Sequence, residues 1–110
     1  MTIFDKHIND IERFCLTHKV EQLYAFGSVL TEKFNSKSDV DLVVKFEPID
    51  VLLYADNYYD FKFSLQDLLK RPIDLLEEKA IRNPYFKQTL HNQRQLIYGA
   101  LKLKPGSTIF

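Results

Sequence analysis

From Ile3 to His18 the larger apolar residues fall at Phe4, Ile8, Ile11, Phe14 and Cys15, with His18 closing the series. Steps of three and four put them on one stripe, which predicts a first amphipathic helix. The pattern then tightens. Leu-Tyr-Ala-Phe supplies strand-forming residues up to Gly27, so a first strand is expected from about Gln22 to Phe26. Ser28 is placed to cap a short helix running to about Phe34, and Asn35-Ser36-Lys37-Ser38 reads as a polar turn. A second strand follows from Val40 to Phe46. Alternation along it sends Asp39, Asp41, Val43 and Lys45 to one face and Val40, Leu42, Val44 and Phe46 to the other.

Beyond Glu47-Pro48, the stretch Val51–Leu69 is rich in Leu, Tyr and Phe and predicts a long helix with Asp50 near its start. Tyr54, Tyr58, Tyr59, Phe61 and Phe63 cannot all share one stripe, which leaves core packing and a partner surface both open for them. Lys70-Arg71-Pro72 ends that helix, because proline cannot continue the hydrogen-bond ladder. Ile73-Asp74-Leu75-Leu76 reads as a third short strand, with Asp74 facing away from its apolar neighbours. Asn83-Pro84 opens a last helix in which Phe86, Leu90, Arg94 and Ile97 keep helical spacing to near Gly99. The remaining LKLKPGSTIF predicts an irregular tail from about residue 101. Helices alternating with strands give an α/β (α+β) class: a three-stranded sheet flanked by about four helices.

Composition narrows the reading. At 110 residues with 45% hydrophobic content, one domain spanning 1–110 is expected. Fifteen Lys and Arg balance fifteen Asp and Glu, so no overall basic field exists to drive strong nucleic-acid binding. Cys15 is the only cysteine, which excludes an internal disulfide, and its place on the apolar stripe makes it a core residue. His7, His18 and His91 show no metal-ligand spacing. No apolar run reaches membrane-spanning length and no signal peptide is evident, so a cytoplasmic protein is expected.

Chemistry concentrates between Tyr24 and Phe46. Phosphoryl and nucleotidyl transfer need a cradle for a polyphosphate and carboxylates that hold one or two Mg²⁺ ions against the developing charge. Gly27 lets backbone approach a phosphate closely, and Ser28 adds a hydroxyl at a helix start. Asp39 and Asp41 share a strand face and can present oxygens to a shared metal. Asp74 completes the set if the third strand lies beside the second. It would then act as ligand to the second metal and as general base towards an incoming hydroxyl.

The run GSVLTEKFNSKSDVDLVV resembles the signature of the polymerase-β-type nucleotidyltransferase superfamily, Gly-Ser followed by Asp-x-Asp. The chain as a whole, through PIDLLEE and QLIYG, resembles the minimal nucleotidyltransferases of that superfamily. The resemblance implies Mg²⁺, as two ions, on Asp39, Asp41 and Asp74 as catalytic carboxylates, with Gly27 and Ser28 on ATP or another nucleoside triphosphate. It implies a small mixed sheet flanked by helices, and transfer of AMP to a hydroxyl with release of pyrophosphate. It further implies a small helical HEPN-domain protein as partner and acceptor, this chain being the antitoxin of a toxin–antitoxin pair. A homo-oligomer is a second arrangement open to so small a chain. One departure is plain: many minimal members place an arginine soon after Gly-Ser, and here Val29-Leu30-Thr31 stand there. Lys33, Lys37 and Arg71 are the candidates to replace its charge. Two alternatives remain at this stage, a binding module that neutralises its partner by contact and a small-molecule nucleotidyltransferase of aminoglycoside type.

Overall fold

A computed structural model describes residues 3–99. Two short helices, α1 (Ile3–Lys6) and α2 (Ile8–Thr17), lead into β1 (Val20–Phe26); β2 (Val40–Phe46), α3 (Val51–Leu69), β3 (Ile73–Glu77), α4 (Pro84–Gln93) and β4 (Gln95–Tyr98) follow. Among the described residues the sheet has four strands in the order β3-β2-β1-β4, not the expected three. β1 runs antiparallel to both β2 and β4, while β2 and β3 are parallel and joined over one face by α3.

Local chemistry explains the boundaries. The Asp50 carboxylate accepts from the Leu52 amide and starts α3; Lys70, with φ +56, ends it just before Pro72. α4 begins with Pro84 in its first turn, and Asn83 Oδ1 accepts from the amides of Tyr85 and Phe86. The first helix is broken at His7 rather than continuous to His18. The last helix stops at Gln93 instead of running to Gly99. Gln95–Tyr98 pairs with the free edge of β1, and satisfying that edge outweighs the helical spacing of Arg94 and Ile97. The irregular tail expected from about residue 101 lies outside the described residues.

Alternation along the strands builds two cores. On one face Leu23, Ala25, Val40, Leu42, Val44, Phe46, Ile73 and Leu75 pack against Ile11 and Cys15 of α2 and Phe61, Leu65 and Leu69 of α3. On the other, Tyr24 and Val43 meet Leu90 of α4, with Phe26, Leu76, Ile81 and Leu96 around them. The alternation expected for β2 therefore holds, and Asp41 lies on the same face as Val43. The aromatics of α3 divide as their spacing requires. Phe61 is fully buried, whereas Tyr59 and Phe63 are half-exposed and stack on each other.

The outer edge of β3 is closed by side chains of α3. Gln66 Oε1 accepts from the Ile73 amide at 3.3 Å, and the Tyr58 hydroxyl donates to the Leu75 carbonyl. Unpaired strand groups that would invite another strand are thereby occupied.

Candidate functional site

β1 ends where the site begins. Phe26 is the Cα partner of Asp41 across the β1–β2 ladder, so the next residue, Gly27, lies against the Asp41 side chain. Gly27 has φ +74, and a Cβ built there would stand 2.5 Å from Asp41 Oδ2. Both the backbone conformation and the space demand glycine. The helix expected from Ser28 to Phe34 is instead a single 3₁₀ turn, Gly27–Leu30. Thr31 closes it, its amide and its hydroxyl both donating to the Ser28 carbonyl at 2.9 Å. Four residues give no α-helical terminus, so the anion-binding capacity foreseen there reduces to the amides of one turn and the half-buried Ser28.

Of the three carboxylates, Asp41 is half-buried, and Asp39 and Asp74 are exposed. Asp41 and Asp74 are Cα partners across the parallel β2–β3 ladder, so their side chains stand side by side on one face. This adjacency is what the sequence required and could not itself display. Asp39 lies in the loop immediately before β2 rather than within the strand. Burial first, then the charge of Asp74, then that of Asp39, raise the Asp41 pKa above the ordinary carboxylate value.

Three hard oxygen donors repelling one another are the donor chemistry that suits Mg²⁺. Among the described residues, no three His, Cys, Asp or Glu side chains converge into a ready-made metal cage. The residues fit the ion by the chemistry of their donors, and strand register sets two of them, Asp41 and Asp74, side by side.

Sequence reasoning missed how the loop before Asp39 is held. Arg71 Nη1 donates to the carbonyl of Asn35 at 2.7 Å and of Ser38 at 3.3 Å, and the guanidinium carbon lies 4.4 Å from the Phe34 ring centre. Arg71 was a candidate for phosphate charge; its guanidinium is committed to this loop. The 36 positions between Asn35 and Arg71 hide the contact from any local pattern. Arg94 was also missed: its guanidinium sits 3.9 Å over the Tyr24 ring and 3.9 Å from Glu78 Oε1, placing a cation on the carboxylate-bearing face. Farther along β2, Lys45 lines a pocket of about 310 Å³ with Glu78, Lys79 and Lys87.

Residues 9–102 match the family model described as Polymerase beta, Nucleotidyltransferase. The chain belongs to this nucleotidyltransferase family. It is accordingly a nucleotidyltransferase, the reaction class for which the carboxylates and the Gly-Ser turn were singled out. A relative from Methanocaldococcus jannaschii named "Putative protein adenylyltransferase MJ0126" is 31% identical over 99 residues, covering 87% of this chain and 90% of the relative. A solved structure described as "putative minimal nucleotidyltransferase" superimposes with TM-score 0.70 at 24% identity, covering 86% of this chain and 95% of the other. A chain from the complex of a tri-AMPylated Shewanella oneidensis HEPN toxin with its MNT antitoxin superimposes with TM-score 0.59 at 18% identity, over 87% and 72% of the two chains. These two likenesses establish the nucleotidyltransferase fold with its mixed sheet. Among the described residues no helix is long and apolar enough to cross a membrane.

Proposed function

We propose that this nucleotidyltransferase moves AMP from ATP to a hydroxyl on a partner protein, a small helical HEPN-type toxin, and so serves as the antitoxin of the pair. The observation that carries the catalytic part is the in-register pair Asp41 and Asp74 beside Gly27. In the reaction, the acceptor oxygen forms a bond to the α-phosphorus of ATP as the bond from that phosphorus to the bridging oxygen breaks. Pyrophosphate leaves. Asp74, exposed at the rim, takes the acceptor's proton. Asp39, Asp41 and Asp74 would hold Mg²⁺, which supplies positive charge to the triphosphate. Gly27 lets its backbone pack directly against the Asp41 carboxylate, so that its turn and that carboxylate share one corner of the site.

Protein as the acceptor class is supported by the adenylyltransferase name of the relative and by the AMPylated toxin in the structural neighbour's complex. The experiment is incubation of the chain with α-labelled ATP, Mg²⁺ and a small helical HEPN-type protein as acceptor. Label is expected on the partner, and its loss is expected with Asp41→Asn. Absence of label from every protein under these conditions, with Asp41→Asn neutral in cells, removes the catalytic reading.

A second reading has its own observation. Leu52, Tyr59 and Phe63 are each more than half exposed on α3, a surface suited to contact. If neutralisation works by contact alone, Asp39→Asn and Asp41→Asn leave it intact while Tyr59→Ala and Phe63→Ala abolish it.

A further inference from the structure

The loop between Leu30 and Val40 is held internally by short-range bonds. Asn35 accepts a bond from Ser38 N at 3.0 Å, Asn35 N donates to Ser38 Oγ at 3.0 Å, and Lys37 N donates to Asn35 Oδ1 at 2.8 Å. Among the described residues, the side chain that reaches this loop's backbone from a distant part of the chain is Arg71. Its guanidinium bonds the carbonyls of Asn35 and Ser38 and lies over the Phe34 ring, so it fixes the half of the loop that leads into β2. The next residue adds a third tie: the Pro72 carbonyl accepts from Val40 N at 3.0 Å. The peptide groups on either side of Asp39 are thus gripped by Arg71 and Pro72, and that segment runs directly into β3 and Asp74.

We propose that Arg71 is a positioning residue for Asp39, fixing the loop so that this carboxylate is presented beside Asp41 and Asp74. The proposal rests on the reading of Asp39 as a metal-holding carboxylate. Both bonds leave from the one nitrogen Nη1 while the guanidinium plane lies on the Phe34 ring, and a lysine ammonium has no plane to stack there while it donates. Charge alone therefore does not suffice, which separates positioning from a direct electrostatic role on phosphate.

The test uses the full chain as Arg71→Ala, Arg71→Lys, Phe34→Leu and Asp39→Ala, with Mn²⁺ as the probe ion titrated by electron paramagnetic resonance and amide exchange followed over residues 35–40. Displacing a group that orients a metal-holding carboxylate is expected to weaken Mn²⁺ binding about 10–100-fold in Arg71→Ala, with Arg71→Lys close to it. Phe34→Leu removes only the ring and is expected to fall between. Exchange accelerates at Val40 and in the loop, and not in α3. In nucleotidyl transfer, kcat falls while KM for ATP stays within about twofold.

Arg71→Lys behaving like the parent overturns the proposal, as does unchanged Mn²⁺ affinity in Arg71→Ala when Asp39→Ala weakens it. Unchanged Mn²⁺ affinity in Asp39→Ala removes the metal-holding reading itself and the proposal with it. Should Arg71→Ala fail to fold, Arg71→Lys and Phe34→Leu decide the matter by the same measurements.

Discussion

Gly27 and Asp41 occupy the same corner of the sheet so closely that a single methyl group on Gly27 would stand 2.5 Å from Asp41 Oδ2. Gly27→Ala is therefore expected to act twice. The left-handed backbone, φ +74, costs an alanine about 1–2 kcal/mol of stability. The displaced Asp41 carboxylate costs about a hundredfold in turnover, as a misplacement of about 1 Å does in other sites. Urea unfolding and the labelled-ATP assay measure the two effects separately.

The carboxylate cluster trades stability for chemistry. Asp41 has its pKa raised above 3.8, by burial first and then by Asp74 and Asp39, so the folded chain holds that proton more tightly than the unfolded one. Its contribution to stability is full below about pH 3.8 and is lost as pH rises through the raised folded value. Asp41→Asn escapes that loss. It is expected to melt higher than the parent near neutral pH, with the difference narrowing on acidification, while transfer activity disappears. Thermal melts across a pH series give the answer. Added Mg²⁺ is expected to raise the parent's melting temperature and leave the variant's unchanged.

At the edge of β3, Tyr58→Phe removes the hydroxyl that satisfies the Leu75 carbonyl. A loss of about 1 kcal/mol is expected from a part-buried bond of this kind, read as a lower urea midpoint at unchanged slope. Transfer activity is expected to remain.

Cys15 is buried in the α2 face of the core, and burial, with a smaller push from Glu12, raises its thiol to about 12. Iodoacetamide at about pH 8 is expected to leave it unmodified in the folded chain and to alkylate it fully in denaturant. Mass spectrometry of the two samples checks this directly.

Where a boundary depended on local chemistry, the chain could be read. The Asp50 cap and the Lys70-Arg71-Pro72 break delimit α3 at Val51–Leu69, and alternation assigns Asp41 and Val43 to one face of β2. Asp74 was legible as a candidate because its strand is apolar on both sides of it. β4 was not legible. Gln95–Tyr98 continues the helical spacing of Phe86 and Leu90 with no breaker between, and what makes it a strand is the unfilled edge of β1, a tertiary demand. The turn after Gly27 was read as longer than it is because Ser28 caps equally well one turn or three. Arg71 escaped because its partners Phe34, Asn35 and Ser38 are brought to it only by the pairing of β2 with β3.

That pairing is parallel, so Asp41 and Asp74 meet only after the chain has crossed the whole face of the sheet through α3. An antiparallel hairpin would have brought two acids together through a turn of a few residues, early and cheaply. Here no fragment shorter than the β2–α3–β3 unit contains both. The pair comes into existence with the completed crossover, one of the slower steps available to a chain of this size. Nucleotidyl transfer is thereby a readout of finished folding, and a partly folded chain carries no partial activity.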